Sequence, residues 1–337
     1  MSYITINNIN SINAELTNYC NAACPMCARY FIDGVLNKER VNSMHTTLNF
    51  LQERIGEKVV KQLKRFTSCG NFGDGSMNPE CKEIYQWLRL LNKDINLALH
   101  TNGGARNIEF WQDLAKIDVQ VTFAIDGLED SNHLYRRNVR WTKLMDNVQA
   151  FIAAGGRANW AMLVFRHNES QIEQCRRLST ELGFKQFNLE QTSRWADFDY
   201  IGNWHNMDKI PVDDYFLEKA TLFKAPSVGS GGNSQKININ KENFVTKKIL
   251  CKSYDVAKNF VEIYLAANGD VSPCCWLGDL KQHESKNIIK DHTEVNLHHS
   301  TLSEILQGDY FRELEKGISG VKNSYRLHTC YFTCGIN

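Results

Sequence analysis

Ser11-Ile12-Asn13-Ala14-Glu15-Leu16 reads as a short strand, and its C-terminal end delivers the loop Cys20-Asn21-Ala22-Ala23-Cys24-Pro25-Met26-Cys27. The loop spaces its thiols C-x3-C-x2-C. Three thiolates on one tight loop can each hold one iron of a [4Fe–4S] cube and leave the fourth iron open to another ligand. Cys24-x2-Cys27 alone would serve as half a zinc site, but structural zinc needs a second ligand pair at matched spacing, and none follows within a zinc-finger distance. The chain has eleven cysteines and no apolar run long enough to span a membrane. With no signal-peptide pattern either, the thiols point to a reducing, cytoplasmic setting and to metal rather than disulfides.

Outward from this loop, helical and strand periods alternate. Leu48, Leu51, Ile55 and Val59 recur at helical spacing, and 65–70 is strand-like and ends in Gly70-Asn71-Phe72-Gly73-Asp74-Gly75. After Pro79, a helix carries Ile84, Trp87, Leu88 and Leu91 on one face, followed by the strand 95–100 and Thr101-Asn102-Gly103. Helices at 107–116, 142–154 and 169–182 then alternate with strands at 118–126, 157–165 and 184–191. Strands separated by crossover helices make a parallel α/β sheet, and such sheets place their sites at the carboxyl ends of the strands. Every motif above falls at those ends. Cys175, on a helix face with Ile172 and Leu182, reads as a small core side chain, as does Cys81.

Spacing and residue types together resemble the radical S-adenosylmethionine (SAM) superfamily, whose C-x3-C-x-φ-C loop is matched with Met26 at φ. The resemblance implies a partial (β/α)6 barrel and a cluster whose open iron is chelated by the amine and carboxylate of SAM. It further implies that Phe72, Gly73 and Asp74 meet the methionyl amine, with Asp74 replacing the family's commoner and longer glutamate. Phe123-Ala124-Ile125-Asp126-Gly127 resembles the family's Ser-Ile-Asp-Gly strand end, where Asp126 either accepts hydrogen bonds from hydroxyls or caps the next helix. His133-Leu134-Tyr135-Arg136-Arg137 resembles the segment whose arginine grips the SAM carboxylate, and Arg136 is the aligned position, suited by its planar fork. Asn102 is a candidate for SAM contact or for a turn. Glu190, Thr192 and Arg194 end the sixth strand and are candidates for the substrate, with Glu190, Arg194 and Cys69 as catalytic candidates.

Residues 197–248 lose the period and include Val228-Gly229-Ser230-Gly231-Gly232-Asn233-Ser234-Gln235, which reads as a linker or a substrate-covering loop. Beyond it lie Cys251, a hairpin over 260–275 turning at Asn268-Gly269, a helix at 302–316 and Cys330-x3-Cys334. This arrangement resembles the twitch domain, a shortened SPASM domain, and implies a second, auxiliary [4Fe–4S] cluster held by Cys251, Cys274, Cys330 and Cys334. The Gly269-x4-Cys274 spacing selects Cys274 over Cys275, since adjacent strand residues face opposite sides. Zinc on the same four thiols is the rival. The expected domains are therefore a core over 1–196, the stretch 197–248 and an auxiliary domain over 249–337.

The chain is 337 residues long, 42% hydrophobic and 23% charged, with 39 basic against 38 acidic residues for a net charge of +1. These are ordinary values for a globular protein and advertise neither nucleic acid nor an anionic membrane. The resemblance implies a radical enzyme acting on a peptide side chain or small metabolite, with a flavodoxin- or ferredoxin-type reductant. Net oxidation is the first expectation, and epimerisation, isomerisation or nucleotide modification the alternatives. The Gly-Gly tail of the family's GTP cyclases is replaced here by Cys334-Gly335-Ile336-Asn337. A non-enzymatic iron–sulfur electron carrier is the reading from another class, but it needs no SAM clamp. The spelling of the core also resembles radical SAM proteins of phage genomes, which names no reaction.

Overall fold

Ser11–Ala14 forms β1, while Arg65–Ser68, Asn96–Thr101, Val119–Ala124, Arg157–Leu163 and Gln186–Glu190 form β2 to β6. Each pairs in parallel with the next. The crossovers are α1 (Leu48–Arg54), α2 (Gly56–Gln62), α3 (Cys81–Leu91), α4 (Ile108–Lys116), α5 (Asn132–Tyr135), α6 (Trp141–Ala153) and α7 (Ile172–Leu182). The computed structural model describes residues 4–192, 194–198, 204–224, 248–255, 258–280, 284–320 and 327–336. The helix expected over Leu48 to Val59 is split in two because Gly56 adopts a left-handed φ of +76°, which an α-helix cannot absorb.

Side chains alternate between two environments, as a strand period of two requires. Val119, Val121 and Phe123 of β4 are fully buried, and Phe123 meets Trp111 of α4 and Phe151 of α6 at ring centroid distances of 5.3 and 5.8 Å. Aromatic pairs of this kind contribute roughly 0.5–1.5 kcal/mol each beyond area burial, which fixes the helical layer on this face. The opposite face is open and mixes polar side chains with small or partly exposed apolar ones. Register neighbours there include His100 with Thr122, Ala124 with Ala161, and Leu163 with Glu190, and all of them line one cavity.

Within 197–248, the described residues form hairpins. β7 (Ala196–Phe198) pairs with β8 (Trp204–Asn206), and β9 (Lys209–Val212) with β10 (Tyr215–Glu218). Ile210, Val212 and Leu217 are buried, and the Tyr215 hydroxyl donates to the Leu134 carbonyl, so 209–218 is docked on the core. The Gly/Ser stretch 228–235 lies outside the described residues.

The C-terminal part contributes β11 (Lys248–Ile249), β12 (Tyr254–Asp255), β13 (Phe260–Leu265) and β14 (Val271–Ser272). These are followed by α8 (Leu302–Gln307), α9 (Asp309–Ile318), α10 (His328–Cys334) and β15 (Gly335–Ile336). The expected hairpin is present, turning at Gly269 with φ +86°. The single helix expected at 302–316 is two helices, parted at the extended Gly308. Strand β13 also lies parallel to β1, pairing Ser11 with Glu262 and Ala14 with Leu265. Among the described residues the strands follow the order β12-β13-β1-β2-β3-β4-β5-β6 with β14 beside β13, an open sheet rather than a closed barrel. No helix among them is long and apolar enough to cross a membrane.

Candidate active site

The cysteine loop crosses the carboxyl ends of the strands, beside a cavity of about 230 Å³. Cys20, Cys24 and Cys27 all line it, together with residues 70–74, His100, Asn102, Arg136 and Glu190. Each sulfur accepts a hydrogen bond. Cys20 Sγ accepts from Ala22 N at 3.4 Å and Asn102 Nδ2 at 3.5 Å, Cys27 Sγ from Arg29 Nε at 3.5 Å, and Cys24 Sγ from Arg136 Nη1 at 3.6 Å. Donors and cations aimed at three sulfurs suit thiolates in an iron–sulfur cluster, so the residues present fit the group. Burial pushes the free Cys20 thiol up to about 12, a preference that coordination to iron reverses.

Arg29 is the cation that sequence reasoning passed over. It is 4% exposed and also donates through Nη1 to the Cys20 carbonyl at 3.2 Å and through Nη2 to the Ala22 carbonyl. One guanidinium thus staples both ends of the loop.

Glycine is required in the turn after β2 by close approach. A Cβ on Gly73 would sit 1.9 Å from the Thr17 carbonyl oxygen, and one on Gly70 would sit 1.5 Å from that of Gly73. Asp74 lines the cavity but is already engaged. Its Oδ1 accepts from Ser76 N at 3.0 Å and Ser76 Oγ at 2.7 Å; its Oδ2 accepts from Thr101 Oγ1 at 2.9 Å, Asn102 N at 2.8 Å and Asn102 Nδ2 at 2.7 Å. The carboxylate therefore clamps the turn to the end of β3. Asn102 shares its amide with Asn21 Oδ1 at 2.9 Å, which ties that strand end to the cysteine loop.

Arg136 reaches the cavity, whereas Asp126 stands behind it, fully buried. Asp126 Oδ2 meets Arg136 Nε at 2.6 Å and Oδ1 accepts from Leu163 N at 2.6 Å. Burial holds Asp126 above the usual carboxylate range, with Arg136 opposing. Glu190 is also raised, by burial first and by Asp126 second. Met26 is buried in the core beneath the loop, while Arg194 is exposed. Neither Met26, Thr192 nor Arg194 lines the cavity. His100 does, and sequence reasoning missed it because it sits within an apolar strand.

The C-terminal thiols form a second set. Pairing of β11 with β15 sets Ile249 opposite Gly335, and the Leu250 amide donates to the Cys334 carbonyl at 2.9 Å. Charges at Cys251 and Cys330 act on Cys274, and charge at Cys334 acts on Cys251. The four thiols are neighbours of this kind, without a closed single-ion ligand set among the described residues, and they are the residues that would hold a second [4Fe–4S] cluster. Cys275 turns the other way and hydrogen-bonds Cys69, whose Sγ lies 3.1 Å from Asn13 Oδ1.

Residues 14–178 match the family described as the radical SAM superfamily, and 258–335 match the SPASM iron–sulfur cluster-binding domain. Among solved structures, the chain is similar to SuiB from Streptococcus suis bound to S-adenosylmethionine (12% identity, TM-score 0.57, covering 96% of this chain and 77% of SuiB). It is similar as well to SuiB bound to the precursor peptide SuiA (14% identity, TM-score 0.58, covering 97% and 69%). A third similar structure is anSMEcpe with AdoMet and the Cp18Cys peptide (13% identity, TM-score 0.52, covering 90% and 81%). Identities this low show a shared fold alone. No curated protein matches the sequence.

Proposed function

The chain belongs to the radical SAM superfamily, with S-adenosylmethionine and one [4Fe–4S] cluster in each of its two domains as cofactors, and from that premise we propose that it oxidises a peptide side chain or small metabolite by hydrogen-atom abstraction. When bound, the core cluster supplies the electron that splits SAM into methionine and a 5′-deoxyadenosyl radical. Cys20, Cys24 and Cys27 would hold that cluster. Arg136 offers its fork to the SAM carboxylate, and the glycine turn offers backbone carbonyls to the methionyl amine, while Asn102 holds the strand end to the cysteine loop and to Asp74. Cys251, Cys274, Cys330 and Cys334 would hold the auxiliary cluster, which four thiolates saturate and leave to carry electrons rather than bind substrate. A flavodoxin- or ferredoxin-type protein is the expected reductant.

The observation that carries this reading is the open sheet face on which His100 and Glu190 line the same cavity as the three thiols. A substrate seated there is within reach of the cofactor and of two titratable groups. The precursor peptide bound to SuiB and the Cp18Cys peptide bound to anSMEcpe support the peptide class. Anaerobic reconstitution followed by a screen of candidate peptides and metabolites for 5′-deoxyadenosine and for a product two hydrogens lighter tests the proposal.

A second reading, a radical epimerase or isomerase, is favoured by Cys69, whose thiol is held beside Asn13 at a strand end and is suited to returning a hydrogen atom. A product of unchanged mass would select it.

A further inference from the structure

We propose that Glu15 is a positioning residue for the cofactor cavity: from the end of β1 it fixes the Phe72–Gly73 backbone and, through Tyr264, ties that backbone to the strand leading into the auxiliary domain. Glu15 is 2% exposed. Its Oε1 accepts from the amides of Phe72 and, at 2.9 Å, Gly73, and its Oε2 accepts from the Tyr264 hydroxyl at 2.6 Å. Three donors converging on one buried carboxylate satisfy it as an anion and orient everything attached to it. The backbone held is the turn in which the Gly73 position meets Thr17 closely, and the Asp74 amide anchors the far end of that turn on the Tyr19 carbonyl at 2.9 Å.

Phe72 makes the placement consequential. It lines the cofactor cavity and also a neighbouring cavity of about 520 Å³, which Glu15 lines too, between the segment after the cysteine loop and the C-terminal hairpin. The wall that Glu15 holds is therefore the partition between the two. Tyr264 lies on β13, whose register neighbour across the sheet is Asn13 of β1, so the same carboxylate joins core and auxiliary domain at their shared strand pair. Burial pushes Glu15 up to about 7, and the hydrogen bonds from Tyr264, Phe72 and Gly73 pull the other way, toward the anion.

The test compares Glu15→Gln, Glu15→Leu and Tyr264→Phe in anaerobically reconstituted protein by iron content, calorimetric SAM affinity and hydrogen exchange of the 70–75 backbone without SAM. Glutamine keeps an oxygen for both amides and should stay within about threefold of the parent, because only the charge assistance is lost. Leucine removes the acceptor, and should speed exchange at Phe72 and Gly73 and weaken SAM binding roughly ten- to hundredfold with iron unchanged. Tyr264→Phe leaves both amide contacts and should weaken SAM binding about two- to fivefold, because the lost hydrogen bond acts on the turn only through the carboxylate; this variant decides the matter if Glu15→Leu does not fold. Unchanged exchange and affinity in Glu15→Leu would overturn the proposal. So would an equal loss in the glutamine variant, or a fall in iron matching the fall in affinity, since either assigns Glu15 to general structure. No change in Tyr264→Phe would overturn the link between the domains.

Discussion

Removing Arg136 should have two separable effects, because its guanidinium faces two ways. Behind it lies Asp126, fully buried with Oδ2 2.6 Å from Arg136 Nε; in front lies the cavity, with Cys24 Sγ 3.6 Å from Nη1. Arg136→Ala leaves the carboxylate uncompensated, which costs roughly 3–5 kcal/mol for a buried pair broken on one side. It also removes a charge-assisted contact to the SAM carboxylate worth about 1.5–3 kcal/mol, or a ten- to hundredfold weaker affinity. Adding Asp126→Asn should restore most of the stability, since asparagine keeps the acceptor for the Leu163 amide without the charge, but none of the affinity. Urea unfolding followed by tryptophan fluorescence reads the first effect, and calorimetric titration of reconstituted protein reads the second. The pH dependence has a definite sign. Burial already raises Asp126, and losing Arg136 raises it further; a carboxyl raised in the folded state costs stability as pH rises through its folded value, so the deficit should shrink on acidification. An unchanged urea midpoint would refute the idea that Asp126 leans on Arg136. An unchanged SAM affinity with iron intact would move the carboxylate clamp elsewhere, with Arg137, now paired with Asp213, the next candidate.

Reconstituted protein should hold about eight irons, and replacing Cys20, Cys24 and Cys27 with alanine should leave about four, as counted by iron and sulfide assay; zinc in the remainder would refute the auxiliary assignment. Cys274→Ser should lose the auxiliary cluster while Cys275→Ser keeps it, because Cys274 neighbours Cys251 and Cys330 whereas Cys275 hydrogen-bonds Cys69, and the visible spectra of the two variants decide between them. Gly73→Ala should abolish SAM binding by forcing apart the turn and Thr17, which approach within 1.9 Å of the added carbon; normal affinity would show that the turn can relax. Variants of the auxiliary cysteines should still form 5′-deoxyadenosine but no product two hydrogens lighter, as mass spectrometry would record, and a mass-neutral product with SAM regenerated would exclude net oxidation.

Local signals in the sequence were legible and long-range ones were not. The thiol spacing and the strand and helix periods are set within a few residues of one another, and they place the cysteine loop, the glycine turn and Arg136 around one cavity. The turn at Asn268-Gly269 was readable for the same reason, but nothing in a hairpin's own residues says which strand its outer edge will join, so the pairing of β13 with β1 was missed. Glu15 and Arg29 were missed because each looks like an ordinary charged residue until partners far along the chain surround it. Asp74 shows the converse: its position fits a cofactor contact, but Ser76, Thr101 and Asn102 occupy both of its oxygens. Single glycines at Gly56 and Gly308 interrupt helices whose apolar period runs on through them.

The pairing of β13 with β1 also orders events in time. Translation reaches β13 (Phe260–Leu265) long after β1 (Ser11–Ala14), so one side of β1 lacks this partner until all the crossovers between them have been made. The nascent core presents there a row of unsatisfied amides and carbonyls, of the sort that recruits foreign strands. Closing so long a span is slow compared with the local α/β crossovers. The segment that carries β13 thus acts as the seal on β1.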